Sequence, residues 1–461
     1  PPRSTLFPYT TLFRSEFITR QYVDDIFFAV TFPKDALGLE EIFPLKIISY
    51  DDHPITKLFP PSVNHFSLLN NTKDLLKRRS TNVLLNHPAT IKHITSFNQY
   101  QSNILVYKPS PSLEKICQNN RWQLLANPAK LNRQIENKIN FSQIITELSL
   151  PQPDYSIEKL KEISYQNYSQ KYGPQFFLQF PRGFAGSSTF LVSSDDQLQL
   201  VKNNYLNYPT KISQKIDGPT YSLNACILHP SVNKAQIVIQ PPFFQITNLP
   251  DLNPSPGGTC GNIYSANLNV FKNLSRLYSD VKKFGVYLQK LNYNGFFGLD
   301  FVIDSQTGQH FFIECNPRLT ASVPMVTKLQ LKNNQIPLLA IHILEMLQLE
   351  YQLSDQTIEN IQQNPIKGSQ IIFRNIGSDT TPPPISLTSG VFTSHTSFKN
   401  IFDLKNIVQN QLKMLKFLRP GKDVLDIKKT KEFLILSEPI DRKISPAIEY
   451  LRIQSLNDSL T

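Results

Sequence analysis

Residues 295–319 read "GFFGLDFVIDSQTGQHFFIECNPRL", two apolar runs joined by a polar turn. Asp300 sits inside the first run, and Glu-Cys-Asn-Pro-Arg closes the second. Each run is rich in Phe and Ile and of strand length, and Ser-Gln-Thr-Gly between them is turn chemistry, so the stretch predicts a β-hairpin. With the turn centred near Gln306, Asp300 lies opposite Phe312 and diagonal to Glu314. The period of two then puts Asp300, Glu314 and Asn316 on one face. Diagonal partners stand roughly 7–8 Å apart at their backbones, within side-chain reach of a shared cation. Two anions among Phe and Ile are costly without such a cation. Two carboxylates and an amide form an all-oxygen donor set, which suits Mg²⁺ or Mn²⁺. Arg318 could clamp a phosphoryl group or a carboxylate with its planar fork. The plain alternative is a hairpin whose acids face solvent while Asn-Pro merely ends the strand.

The whole chain bounds what that hairpin can belong to. Its 461 residues exceed one ordinary core, so two or three domains are expected. The net charge of +11 favours anionic partners, nucleotides and phosphates as much as nucleic acid. The densest basic run, "LLKRRS" (75–80), has no interleaved aromatics and reads as a solvated face, so no nucleic-acid partner is expected. Cys117, Cys226, Cys260 and Cys315 are scattered without C-x-x-C spacing, which points to reduced thiols in a cytoplasm. No apolar stretch approaches the ~20 residues of a membrane helix. Residues 1–15, "PPRSTLFPYTTLFRS", read as translated adapter sequence or a disordered arm and are set aside from fold reasoning.

Upstream of the hairpin, "LSRLYSDVKKFGVYLQKLNY" (274–293) predicts an amphipathic helix. "TKISQKIDGPTYSLNACILH" (210–229) predicts two strands around the turn Asp217-Gly218-Pro219. "PQFFLQFPRGFAGSSTFLVSSDDQLQLV" (174–201) predicts a strand, a Gly/Ser-rich turn, a strand and a helix opened by 193–196. Gly183 and Gly186 would let backbone amides approach a phosphate, with Ser187 and Ser188 adding hydroxyls, although most such turns are only hairpin loops. "AKLNRQIENKINFSQIITEL" (129–148) has apolar residues at helical spacing. The Pro/Gly-rich segment 240–262 reads as a long functional loop. In residues 16–135, 44–52, 81–88, 102–110 and 121–128 read as strands and 112–120 as a helix, a small α/β layer with a partly parallel sheet. After 335 come a helix ("IPLLAIHILEML"), a strand (367–375) and a mixed tail read as a third, smaller module.

The order of these pieces resembles the ATP-grasp superfamily, in which two α+β subdomains hold ATP between them. The resemblance covers roughly residues 100–345. It rests on "NKINFSQIITELSLPQPDY" (137–155), on the strand–glycine loop–strand, on "QKIDG" and, most specifically, on "ECNPR" after a G-x-D strand. It implies an α/β and α+β fold. A Rossmann-like pre-ATP-grasp domain would span 16–130, an ATP-grasp domain 131–345 with its lid at about 155–215, and a small C-terminal α+β module 346–461. It implies Lys138 on the ATP phosphates and residues 182–188 as the phosphate loop. Gln214, Lys215 and Ile216 would form the hinge that reads adenine, with Asp217 near the ribose. Asp300, Glu314 and Asn316 would be the metal ligands. The lid strand usually carries a phosphate-binding Lys; this chain has Gln179, with Arg182 as a candidate replacement for the charge. "NPRLTASVPMVT" (316–327) is similar to the biotin carboxylase version of the segment, but Ser322 stands where that version has a Glu acting on bicarbonate, and Ser is no equivalent base. The implied activity is ATP- and Mg-dependent ligation. A carboxylate would be activated as an acyl phosphate and attacked by an amine or other nucleophile, with Arg318 at the reacting groups. Lysine 138 as a surface helix residue and 214–217 as an ordinary strand end are the plainer readings. A nucleotide-binding module without catalysis is the rival function, and a homodimer stays open.

Overall fold

The computed structural model describes residues 25–40, 43, 45–72, 79–97, 101–183, 188–229, 236–255, 257–264, 268–349 and 351–456. Residues 1–15, and Gly186 and Ser187 of the expected phosphate loop, lie outside the described residues. Five strands, β1 (Ile26–Val30), β2 (Leu45–Ser49), β3 (Asn64–Ser67), β4 (Asn103–Val106) and β5 (Gln123–Leu125), form a sheet of order β3-β2-β1-β4-β5. All of its pairings are parallel. Parallel strands need crossovers that cover both faces, so they read as unbroken apolar runs. In β1, Ile26, Phe28 and Val30 enter one core and Phe27 and Ala29 another.

One expected strand in this layer is a helix. "TNVLLNHP" forms the helix Thr81–Asn86, followed by Pro88–Thr95. Ser80 caps the first by accepting from Val83 N at 3.4 Å, and His87 caps the second ahead of Pro88. A run of three apolar residues, Val83 to Leu85, has too few periods to separate helix from strand, so the caps decide.

Four strands, β6 (Tyr155–Lys159), β7 (Phe176–Gln179), β8 (Thr189–Val192) and β9 (Pro209–Gln214), make an antiparallel sheet of order β6-β9-β7-β8. Phe176, Leu178, Val192 and Ile212 bury one face under helices carrying Tyr168, Tyr172, Leu198 and Val201. The residues alternating with them, including Gln179 and Lys211, therefore line the other face.

The remaining strands are β10 (Thr220–Ile227), β11 (Ile237–Ile239), β12 (Phe243–Thr247), β13 (Thr259–Ile263), β14 (Gly295–Ile303), β15 (His310–Asn316), β16 (Ser369–Arg374), β17 (Gly390–Ser394), β18 (Leu415–Pro420), β19 (Phe433–Ser437) and β20 (Glu449–Ser455). They form one sheet of order β15-β14-β10-β12-β13-β16-β20-β19-β17-β18, with β11 beside β10. The helix Leu274–Lys290 covers the hairpin end with Leu277, Val281, Phe284 and Leu288. The C-terminal strands continue this sheet across the β13–β16 seam, where a Cβ on Gly261 would lie 2.1 Å from the Gln370 carbonyl oxygen. Residues 243–247 and 259–262 of the expected loop 240–262 are thus strand, and the connection between them is anchored by fully buried Leu252, whose carbonyl accepts from Arg374 N at 3.0 Å.

Buried and half-buried ion pairs tie the C-terminal strands to the turn that follows β1. Lys34 lies 3.1 Å from Glu438 and 2.9 Å from Glu449, and Arg452 lies 3.3 Å from Asp35. Lys328 likewise bridges Glu40 at 2.5 Å and Asp423 at 3.3 Å. All four cysteines are buried and free. No helix among the described residues is long and apolar enough to cross a membrane.

Candidate active site

The hairpin is in a different register from the one its sequence predicts. Asp300 pairs directly with Glu314 and Gly298 with Asn316, while Phe301 takes Phe312. A bulge between Asp300 and Phe301 shifts the ladder by one residue. Directly opposed residues stand roughly 4.5–5.5 Å apart at Cα, so the two carboxylates face each other more closely than a diagonal allows. Burial, and then the facing Glu314 carboxylate, push the Asp300 carboxyl up to about 6. Asp300 accepts from Ser222 Oγ at 2.5 Å and Gln245 Nε2 at 2.9 Å on one oxygen, and from Asn316 Nδ2 at 3.1 Å on the other.

Lys138 closes this site from the opposite side. The expected single helix over 129–148 is two helices, Ala129–Glu136 and Lys138–Glu147, broken at Asn137. The Asn137 side chain accepts from Ile139 N at 2.9 Å and Asn140 N at 3.2 Å, so it caps a new helix start. That break makes Lys138 the first helical residue. Its ammonium reaches Glu314 Oε2 at 2.6 Å, and its own N–H donates to the Pro181 carbonyl at 3.2 Å. Lys138 is 6% exposed, which no surface-helix reading accommodates.

Arg318 is fixed on the same floor. Its Nε donates to Glu136 at 3.1 Å, one terminal nitrogen to Asn316 Oδ1 at 2.9 Å, and the other to the Leu319 carbonyl at 3.2 Å. Lys108 holds the second Glu136 oxygen at 2.5 Å. A cation between the two carboxylates would offset both the burial and the repulsion that raise Asp300, so the donor set fits a divalent ion. Asn316 can join it through the Oδ1 lone pair that Arg318 leaves unused.

The residues expected in the lid and hinge are arranged as follows. Gln179 donates to Thr189 Oγ1 at 3.3 Å. Arg182 is exposed at the tip of the sheet. A Cβ on Gly183 would fall 1.8 Å from Ser188 Oγ, so the turn closes on itself there; Ser188 is buried and its carbonyl accepts from Phe180 N at 2.9 Å. Gln214 takes a backbone bond to Asp154 at 2.9 Å and pairs with Phe176. Lys215 reaches Gln175 at 2.9 Å and Asp217 at 2.6 Å, and Ile216 is half-buried. The Asp217 side chain is 80% exposed.

Both chain crossings into the four-stranded sheet are tied to the hairpin. Phe312 N donates to Pro151 O at 2.9 Å, Ser305 N to Asp217 O at 2.9 Å, and Ile303 N to Pro219 O at 3.0 Å. The strands expected on either side of Asp217-Gly218-Pro219 are both present, and they belong to different sheets.

Several polar residues of this site carry no motif. Ser222 pairs with Asp300 across β10–β14. Asn224, two residues on, donates to Gln240 at 3.2 Å and Ser322 at 3.3 Å, and Ser322 bonds Thr320 at 2.8 Å. Lys211 is buried on β9. Polar residues alternating with apolar ones in "TYSLNACI" and "TKISQ" are the signal that marks them.

Neither a protein-family model nor a curated protein matches the sequence. Solved structures match the fold over nearly the whole chain. N5-carboxyaminoimidazole synthetase from Staphylococcus aureus, complexed with ADP, is similar at a TM-score of 0.56 and 11% identity, over 96% of each chain. The biotin carboxylase domain of the Hydrogenobacter thermophilus 2-oxoglutarate carboxylase, in complex with MgADP, ADP and bicarbonate, is similar at 0.57 and 12%, over 95% of this chain and 87% of that one. The L-amino acid ligase from Bacillus licheniformis is similar at 0.56 and 13%, over 95% of each. These neighbours are ATP-grasp enzymes, and the mixed fold with its parallel sheet and large antiparallel sheet is theirs.

Proposed function

We propose, from the ATP-grasp fold and the site it surrounds, that the protein is an ATP-dependent ligase that joins a carboxylate to an amine or another nucleophile. The observation that supports this reading is the facing pair Asp300–Glu314 with Lys138 on Glu314. Triphosphate oxygens need fixed positive charge and a counter-ion in a site that excludes water. Asp300, Glu314 and Asn316 would hold Mg²⁺, which when bound supplies charge neutralisation on the phosphates. Lys138 would exchange its bond to Glu314 for a phosphate oxygen. A substrate carboxylate oxygen then attacks the γ-phosphorus and ADP leaves. The amine attacks the acyl carbon, its lone pair forming the new bond as inorganic phosphate departs and takes up the proton that the amine loses. No protein nucleophile enters, so the residues act by position and charge. Arg318, held by Glu136 and Asn316, is set to orient the substrate carboxylate. Gln214, Lys215 and Ile216 would receive the adenine at the hinge, with Asp217 on its outer rim.

The test is ADP release from MgATP across panels of amino acids and small carboxylic acids, with hydroxylamine added to trap any acyl phosphate as a hydroxamate. ADP and hydroxamate that depend on one acid are expected. ATP binding with no stimulation by any acid would overturn ligation in favour of the second reading, a nucleotide-binding module without catalysis, which the neutral Gln179 on the lid favours. A bicarbonate reaction of the carboxylase kind has less support, since Ser322 is hydrogen-bonded to Asn224 and Thr320 and offers no base.

A further inference from the structure

Lys211 is 1% exposed, and among the described residues its ammonium has no carboxylate within ion-pair distance and donates no side-chain hydrogen bond. The ring of Tyr155 lies 5.8 Å from it. It stands on β9 directly opposite Gln179 on β7, so the two side chains share a face. Ile212 beside it enters the lid's own core, which turns Lys211 to the other face, toward Lys138 and Glu314. We propose that Lys211 is the lid's phosphate-binding cation, carrying from the adjacent strand the charge that Gln179 lacks.

The inference rests on the ATP reading above. A buried cation without an anion is among the costliest placements a fold can make, and a second cation nearby raises the cost. Burial, and then Lys138, hold the Lys211 ammonium down at about 7, with Glu314 opposing them. A scaffold gains nothing from that arrangement, whereas a polyanion entering between Lys211 and Lys138 would neutralise both. Gln179, hydrogen-bonded to Thr189, is then a neutral donor beside the charge. Arg182, exposed at the sheet tip, is not needed as its replacement.

The inference separates from a structural role by opposite signs. Lysine 211 as scaffold predicts that Lys211→Met lowers the melting temperature of the unliganded protein. Lysine 211 as ligand group predicts an equal or higher melting temperature, because an unpaired buried charge has been removed, and a smaller shift on adding nucleotide. Calorimetric titration of wild type, Lys211→Met and Lys211→Met/Gln179→Lys with ADP, ATP and adenosine in the presence of Mg²⁺ reads the rest. ADP and ATP are expected to bind Lys211→Met at least tenfold more weakly, adenosine within about twofold of wild type, and the double variant is expected to recover most of the loss. Unchanged ADP and ATP affinity in Lys211→Met overturns the inference and leaves the ATP reading standing. So does an equal loss for adenosine together with a lower melting temperature. If Lys211→Met does not fold, that too speaks for the scaffold role unless Lys211→Gln folds and shows the ligand pattern. Wild type that binds none of the three nucleosides and nucleotides removes the ATP reading and this inference with it.

Discussion

At the scale of single residues the site is a balance of charges that a ligand would complete. Asp300 and Glu314 face one another, Lys138 offsets one of them, and Lys211 is buried on β9. Removing one member of the acid pair should therefore relieve strain in the metal-free protein. Asp300→Asn is expected to raise the melting temperature in EDTA by a few degrees and to abolish any further rise on adding Mg²⁺ with ADP. Differential scanning calorimetry of both proteins, with and without the ion, checks this. An Asp300→Asn protein that still gains the wild-type increment would show that the ion, if bound, sits elsewhere.

At the scale of elements, the hairpin and its two crossings form one unit. Gly218 lies in the crossing that leaves the lid, and a Cβ there would fall 1.8 Å from the Ile303 carbonyl oxygen. That neighbour is backbone and has little room to yield. Gly218→Ala is expected to cost about 1–3 kcal/mol and to weaken ADP binding at least tenfold, because the lid would lose its alignment. Wild-type melting and affinity would show that the crossing can open freely. Much of this unit was legible in the chain: "GFFGLDFVI" and "HFFIECN" as strands, the long helix before them, and the acids sharing a face. The register was not, because neither a turn set one register step further on nor one extra residue at a bulge leaves a mark in an apolar alternation. The break at Asn137 was hidden for a similar reason, since apolar spacing runs through it while a side-chain cap decides it. Lys211 and Ser222 sit in strands that look ordinary until their partners across the sheet are known.

At the scale of the whole molecule, the parallel sheet and the C-terminal strands meet through buried charge. Although burial opposes ionisation, Arg452 and Lys34 hold the Glu449 carboxyl down at about 2, from an ordinary value of 4.5. A depressed carboxyl stabilises the fold fully above its unfolded value, and that stabilisation is lost as pH falls through the folded one. The melting temperature should accordingly drop as the pH is lowered from about 4.5 toward 2. Glu449→Gln should flatten that slope and, by leaving Lys34 and Arg452 undercompensated, cost about 3–5 kcal/mol at neutral pH. Thermal melts across that range read both effects; a variant with wild-type behaviour at neutral pH would assign the seam's strength to its apolar contacts instead. The hairpin carries a last consequence. The backbone bonds from Phe312, Ser305 and Ile303 fasten both ends of the lid to the very ribbon that bears Asp300 and Glu314. With both of its hinges on one jamb, the four-stranded sheet shares a single footing with the two acids.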